Sequence, residues 1–375
     1  MKKFLLGLSR AELAEFARSL GESSYRGGQI FQWLYAKGAT DFAEMTDLGK
    51  VVREQLEAHS VIERLELVTR QESSLDGTTK FAFRMPRGGT IETVLIPPSS
   101  AFIGKEASGE DEQQRLTLCV STQVGCPLDC AFCATGTMGF GRNLTTGEIV
   151  SQVLEVRRLA LRKITNVVFM GMGEPMLNYA SVMRAADILT EGMGIAARRV
   201  TISTAGWVDG IRRMGDDRRK QKLAISLHSA VEETRTLLMP VNRRHPLAAL
   251  RDAAAYYYAR TGMRVTYEFI LFDGVNDTDA EIGRLITFAR QVPSKINVIP
   301  FHSISSAGPG AFGETLRASR YQEEIVERLR RANLTVMIRS SAGEDIDAAC
   351  GQLATHAVAG RSVHRRKTAS RQEHT

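Results

Sequence analysis

Apolar residues recur at two spacings along this chain, and the change of spacing marks its parts. Over the first sixty residues they fall three and four apart. Ile30, Phe31, Leu34 and Tyr35 share one face of a helix over 26–37, and another helix fits 48–59. Ser9-Arg-Ala-Glu12 has the form of a capping box, in which the two side chains satisfy each other's free amides. It predicts a helix running to about residue 20. From residue 64 the pattern becomes strand-like. Leu65, Leu67 and Val68 precede the turn pair Asp76-Gly77, and Phe81, Phe83 and Met85 alternate. Pro86-Arg-Gly-Gly89 then turns the chain into Thr90-Ile-Glu-Thr-Val-Leu-Ile96. A small β-meander follows from this. Glu92 is the one charge in that last run, and such a charge ordinarily faces solvent. Residues 98–114 are polar and acidic and read as an exposed loop.

Beyond residue 115 short apolar runs alternate with longer helical patterns. Strands are predicted over 116–121, 166–170, 200–204, 223–227, 265–271, 296–299 and 335–338. Helices are predicted over 146–162, 179–190, 247–261, 279–292 and 321–333. Thr145-Thr-Gly-Glu148 and Thr278-Asp-Ala-Glu281 both match capping boxes. Repeated βα units imply a parallel sheet, doubly wound or closed towards a barrel. In either arrangement the chemistry belongs at the C-terminal ends of the strands.

Composition narrows the class. The 375 residues suffice for one large domain and a smaller one, and 43% hydrophobic content supports a proper core. Five cysteines, three of them clustered, argue against a disulfide framework and for thiols kept free in a reducing, cytoplasmic setting. The apolar run after Met1-Lys-Lys ends at Ser9-Arg10, too short for a secretory signal, and no segment has the length of a membrane span. The net charge is +7, of which the last sixteen residues carry +4 through Arg361, Arg365, Arg366, Lys367 and Arg371 against Glu373. A basic tail is most often a solvated end, and it is also what a phosphate backbone would meet. The helical N-terminus is either a nucleic-acid-binding unit or a buttress for the main domain.

The chemistry is concentrated at strand ends. Cys126, Cys130 and Cys133 form C-x3-C-x2-C directly after the first predicted strand of the βα series. Three thiolates are one fewer than a closed structural zinc site or an ordinary iron–sulfur cluster uses. A cubane held by three leaves one iron open to chelate a small molecule. A zinc knuckle completed by a distant Cys or His is the plainer alternative. Gly171-Met-Gly-Glu-Pro175 ends the second strand, where glycines allow close backbone approach and Glu174 could meet an ammonium group. Ser203 and Thr204 end the third strand, and Ser226-Leu227-His228 ends the fourth. Cys119 lies within the first strand, and Cys350 sits in a polar segment before Gly351. An isolated cysteine is usually a small buried hydrophobe.

Taken together, these motifs resemble those of the RlmN/Cfr-type radical S-adenosylmethionine RNA methyltransferases. The likeness runs from the N-terminal helices to the segment after Cys350. It is carried by Val-Gly-Cys-Pro-Leu-Asp-Cys-Ala-Phe-Cys, Gly-Met-Gly-Glu-Pro, Arg-Arg-Val-Thr-Ile-Ser-Thr, Ile-Ser-Leu-His, Gly-Val-Asn-Asp and Asp-Ile-Asp-Ala-Ala-Cys-Gly-Gln-Leu. The resemblance implies an α/β fold: a partial (β/α)6 TIM-like barrel over 115–355. Around it would stand a helical accessory domain over 1–62, a β-meander and acidic loop over 63–114, and a basic tail over 356–375.

It also implies one 4Fe-4S cluster on Cys126, Cys130 and Cys133, with S-adenosylmethionine used twice per turnover. Gly173, Glu174, Ser203, Ser226, Leu227 and His228 would contact that cofactor. His302 stands where the family commonly has asparagine after Ile-Pro-aromatic, and it is carried as a further contact. Ala342 replaces an arginine often found before the Gly-Glu-Asp-Ile segment, and the acidic loop is longer than usual. By the same resemblance Cys350 accepts a methyl group, the methyl carbon joins adenine, and Glu92 removes a ring proton. Cys119 then releases the product by forming a disulfide with Cys350. The implied substrates are 23S ribosomal RNA and transfer RNA. The implied product is 2-methyladenine, with carbon 8 as the alternative and a non-RNA substrate as a more distant one. An electron donor such as flavodoxin and a monomeric state are implied as well.

Overall fold

The computed structural model describes residues 2–98, 115–303, 312–339 and 342–354. Nearly all of the acidic loop and the whole basic tail lie outside the described residues. At the N-terminus, β1 (Lys3–Phe4) pairs in parallel with β2 (Ser60–Val61) and so closes a module around three helices. These are α1 (Arg10–Ser19), α2 (Tyr25–Phe31) and α3 (Lys50–His59). The Ser9–Glu12 capping box forms as expected. The helix expected over 26–37 is α-helical only to Phe31. Gln32–Lys37 winds as a wider π-helix and stops at Gly38, whose φ of +74° suits glycine. Within that turn Tyr35 is fully buried, and its hydroxyl accepts from Gly7 N and donates to Leu8 O, both at 2.9 Å.

One ten-stranded sheet organises the rest. Its antiparallel part is β3 (Glu66–Glu72), β4 (Thr79–Arg84) and β5 (Thr90–Ile96), and β5 joins antiparallel to β6 (Thr117–Cys119). A separate hairpin, β7 (Gln123–Gly125) and β8 (Phe140–Asn143), follows. Parallel strands then succeed one another: β9 (Asn166–Phe169), β10 (Val200–Thr204), β11 (Lys222–Ser226), β12 (Val265–Ile270), β13 (Ser294–Ile299) and β14 (Val336–Ile338). From β6 onward each strand lies beside its predecessor in the sheet, with no reversal of order. That succession excludes the doubly wound arrangement, in which strand order reverses at a switch point. Six helices, Thr146–Ala160, Tyr179–Glu191, Val208–Asp216, Leu247–Thr261, Asp279–Ala289 and Gln322–Arg331, cross between neighbouring strands and complete six βα units, with β14 as a seventh strand. The sheet curls: Arg339, just past β14, reaches the sulfur of Met170, just past β9, at 3.2 Å across four intervening strands.

Hydrophobic burial drives this arrangement. Val167, Phe169, Ile202, Leu223, Ile225, Val265 and Val298 are all buried within one continuous core. Besides two single-turn helices, Ala134–Thr137 and Phe312–Thr315, two longer ones escaped the sequence pattern. In Val208–Asp216 and Glu232–Leu238 charged residues interrupt a short apolar face, on which Ile211, Met214 and Leu238 are buried. At Thr278 only half of the expected capping box forms. Glu281 instead accepts from Ser229 Oγ at 2.8 Å and Thr234 Oγ1 at 2.6 Å, fixing the loop after β11.

Candidate active site

The β7–β8 hairpin brackets the cysteine loop and shapes it. Gly125 has a φ of +72°, and a Cβ there would lie 1.9 Å from the carbonyl of Gly139. That close approach lets Cys126 N donate to Gly139 O at 3.0 Å. Cys133 N donates to Cys130 O at 3.1 Å, and Ala131 N donates to Leu238 O at 2.9 Å, seating the loop on the rim of the barrel. Burial pushes the Cys126 thiol up to about 12 and raises Cys130 and Cys133. The charge of Cys133 acts in the same direction on Cys126 and Cys130, and that of Cys350 on Cys133. Among the described residues no three His, Cys, Asp or Glu side chains converge as ligands of a single ion.

The segment carrying Cys350 is strapped across the barrel mouth from two sides. On the cluster-loop side, Ala134 N donates to Gly351 O at 2.7 Å and Thr135 Oγ1 donates to Leu353 O at 2.7 Å. On the meander side, Asp76 accepts from Gly343 N at 2.9 Å, Ser74 donates to Asp345, and Lys80 Nζ donates to Asp347 O at 3.1 Å. Cys350 is exposed in the mouth while Cys119 is buried below it on β6. Burial and the nearby charge of Cys350 push the Cys119 thiol up to about 12, with Arg339 opposing. Both cysteines are free thiols here, so the disulfide anticipated from the resemblance is not formed in this structure.

Glu92 does not face solvent. It is 2% exposed, and its Oε2 accepts from Ala354 N at 3.0 Å. The other oxygen lies 3.7 Å from Lys80 Nζ. The strand is covered on both faces, so the plain reading of a solvent-facing charge fails. Burial raises the carboxyl to about 6 against the pull of Lys80.

The remaining expected residues line successive strand ends. Gly173 has a φ of +101°, and a Cβ there would meet Gln123 Cβ at 2.6 Å. Glu174 N donates to Gln123 Oε1 at 2.8 Å, while the buried Glu174 carboxylate accepts from Met176 N at 3.0 Å and Ala205 N at 2.7 Å. The side chain thus bridges the ends of β9 and β10. Ser203 and Ser226 are half-buried on β10 and β11, and Leu227 is buried behind them. His228 has a positive φ, and its Nδ1 accepts from Ile270 N at 3.0 Å. Burial lowers it to about 3, so the ring is neutral and carries its proton on Nε2. Its ring packs edge-to-face with Phe132 of the cysteine loop, the centroids 4.5 Å apart. His302 Nδ1 lies 3.0 Å from Glu344, which ties it to the Cys350 strap.

Sequence reasoning missed Arg235. It is fully buried and donates to Asn242 Oδ1 at 2.8 Å, Ala205 O at 2.8 Å and Ser226 O at 3.2 Å. Its Nε has no hydrogen-bond partner, and burial lowers the guanidinium to about 10 against the opposing charge of Cys130. Lys80, Glu268 and Arg339 were missed as well. A lysine and a glutamate inside apolar strand runs were the available signal.

Comparison with known proteins agrees with this geometry. A family model described as the ribosomal RNA large subunit methyltransferase N-terminal domain matches residues 4–62, and the radical SAM superfamily model matches 120–286. The dual-specificity RNA methyltransferase RlmN of Halorhodospira halophila is 44% identical over 354 residues, covering 93% of this chain and 92% of that protein. A probable dual-specificity RNA methyltransferase RlmN of Flavobacterium johnsoniae is 41% identical over 362 residues, covering 94% and 97%. The chain belongs to the RlmN family. A crystal structure of a radical SAM methyltransferase from Sphaerobacter thermophilus superposes with a TM-score of 0.83 at 40% identity, covering 94% of this chain and 99% of that one.

Membership makes this an S-adenosylmethionine-dependent radical enzyme and implies a 4Fe-4S cluster. The donor set fits such a cluster: three thiols in one loop, a buried guanidinium with an orphaned N–H bonded at the ends of β10 and β11, and glycines where side chains would obstruct. A Cβ on Gly136 would stand 2.9 Å from Leu128 O, and one on Gly351 would stand 2.7 Å from Phe132 O. Among the described residues no helix is long and apolar enough to cross a membrane.

Proposed function

We propose that the protein methylates carbon 2 of adenine in 23S ribosomal RNA and transfer RNA through a methyl group carried on Cys350. The observation that carries this reading is the 2.7 Å bond from Ala134 N to Gly351 O, which sets the residue after Cys350 against the residue after the last loop cysteine. The names of the relatives, dual-specificity RNA methyltransferases, support RNA as the substrate.

Each residue has a task in this account. Cys126, Cys130 and Cys133 hold the cluster. Gly173, Glu174, Ser203, Ser226, Leu227, His228 and His302 would hold S-adenosylmethionine, of which two molecules would be used per turnover. When bound, the cluster and S-adenosylmethionine supply a carbon radical, which aromatic C–H chemistry needs and side chains cannot generate. Cys350 accepts a methyl group on sulfur and presents that carbon to the adenine. Glu92, held at the mouth by Ala354 N, takes the ring proton. Cys119, as thiolate, attacks the sulfur of Cys350; an S–S bond replaces the S–C bond, whose electron pair stays on the carbon and takes up a proton, so the methylated base leaves.

In this reading residues 1–62 are an accessory RNA-facing domain, 63–114 the meander and acidic loop, 115–355 the barrel with its catalytic strap, and 356–375 a tail adding phosphate contacts. The protein acts as a monomer in the cytoplasm, reduced by a donor such as flavodoxin. The test is anaerobic reconstitution followed by mass spectrometry of nucleosides from supplied RNA. 2-Methyladenosine is expected. 8-Methyladenosine would move the chemistry to carbon 8, and unmethylated adenine would contradict the reading.

A further inference from the structure

Glu268 stands on β12, level with Ser226 on β11 and Asn297 on β13. It is buried, and its carboxylate is half used. Oε1 accepts from Asn297 Nδ2 at 3.2 Å, while Oε2 is buried and meets no donor. A buried acceptor left unpaired costs more than the bond itself would contribute, so the orphan points to an absent partner. Arg339 carries the opposing charge. Its guanidinium donates to the thioether of Met170 at 3.2 Å, a weak acceptor that it can give up readily. Glu268 and Arg339 influence each other electrostatically, yet no direct ion pair joins them. The two lie on one face of the sheet: Glu268 pairs in register with Asn297, Asn297 with Met337, and Arg339 stands two residues beyond Met337. That face thus carries one buried acceptor without a donor and one guanidinium whose side-chain contact is a thioether.

Adenine offers the complement. Its exocyclic amino group donates and the adjacent ring nitrogen, N1, accepts. We propose that Glu268 and Arg339 form the base-reading subsite: Glu268 accepts from the amino group of the target adenine and Arg339 donates to N1. This rests on the RNA adenine reading above and deepens it. S-adenosylmethionine carries the same base, so its source has to be decided. Arg339 reaches Met170, two residues past Val168, and Val168 pairs in register with Cys119 on β6, so the guanidinium ends on the side of the barrel where the adenine receiving a carbon from Cys350 must arrive. The hydrogen bond has a second consequence. N1 adjoins carbon 2, so a guanidinium donating to N1 draws electron density from the carbon under attack. Arg339 then serves recognition and activation with one contact, and Asn297 positions the carboxylate.

The test is equilibrium binding of RNA hairpins to the cluster-loaded protein by fluorescence anisotropy. The target position carries adenosine, inosine, N6,N6-dimethyladenosine or 1-deazaadenosine. The native protein should bind the adenosine hairpin about tenfold more tightly than each analogue, the scale of one good bidentate base contact. Glu268→Gln and Arg339→Gln should flatten the adenosine-to-inosine ratio, because a glutamine amide can turn either edge to the base. A flat series in the native protein overturns the subsite even if the variants fail to fold, and means that water fills the gap. Loss of S-adenosylmethionine affinity in the variants, with the RNA series unchanged, overturns it in favour of the cofactor's adenine. Methylation is measured on the same native samples. Methylated RNA with a flat base series removes this subsite alone, whereas no methylated adenine at all removes the RNA reading beneath it.

Discussion

The backbone amide of Ala134 donates to the carbonyl of Gly351 at 2.7 Å. One residue follows Cys133 and the other follows Cys350, so a single bond sets the spacing between the cluster loop and the strap. Gly351 has a φ of +86°, and a Cβ there would press on Phe132 O at 2.7 Å. Gly351→Ala should therefore cost about 1–2 kcal/mol in backbone strain alone and displace Cys350. The expected result is normal iron content with a sharp fall in methyl on Cys350, read by peptide mass spectrometry. Gly283→Ala, which would meet nothing within 4 Å, is the control and should behave as native.

The cluster cysteines should act as a set. Replacing Cys126, Cys130 or Cys133 by Ala removes one of three thiolates and should abolish both the visible charge-transfer absorption and activity. None of the three belongs to the main core, and Cys130 and Cys133 only flank a smaller apolar cluster around Phe132, so circular dichroism should remain native. Retention of a full cluster in any one variant would count against the assignment.

Glu92 gives a pH test with a definite sign. Its folded pKa, about 6, lies above the ordinary 4.5. The stability it contributes is thus fully present below 4.5 and is lost as pH rises through 6. The loss amounts to about 2 kcal/mol, and Glu92→Gln should remove that part of the pH dependence in urea unfolding. Activity should run the other way. A proton acceptor must be ionised, so turnover should rise through pH 6 in the native protein, and Glu92→Gln should abolish it.

Much of this framework was legible in the sequence. The strand at 200–204 and the helix at 247–261 have the bounds their patterns predicted, and the other parallel strands differ by a residue or two at their ends. Short apolar runs between polar turns encode such elements locally. The strap was not legible, because its bonds join residues far apart in the chain: Asp76 to Gly343, Ser74 to Asp345, Lys80 to Asp347 and Glu92 to Ala354. Nor does local pattern reveal that the meander extends the barrel sheet, which turns Glu92 from a surface charge into a buried group at the mouth. Arg235 stayed hidden because its partners are backbone carbonyls and an asparagine, none of which leaves a trace in a charge pattern.

The tail supplies a prediction about RNA rather than chemistry. Deleting residues after Gly360 should weaken RNA binding and flatten its salt dependence, by up to about 0.7 log unit for each phosphate no longer neutralised on single strands. An unchanged slope would mean that Arg361, Arg365, Arg366, Lys367 and Arg371 form only a solvated end.

The two thiols at the barrel mouth decide the central claim. Cys119→Ala, with its cluster reconstituted, is mixed with substrate RNA and S-adenosylmethionine under reducing anaerobic conditions and digested for mass spectrometry. The account predicts a peptide containing Cys350 covalently joined to an adenine nucleotide through one carbon, because the sulfur that would release it is gone. Cys350→Ala under the same conditions should carry no adduct and transfer no methyl. Free RNA methylated at near-native rates by Cys119→Ala, with no adduct, would contradict the mechanism.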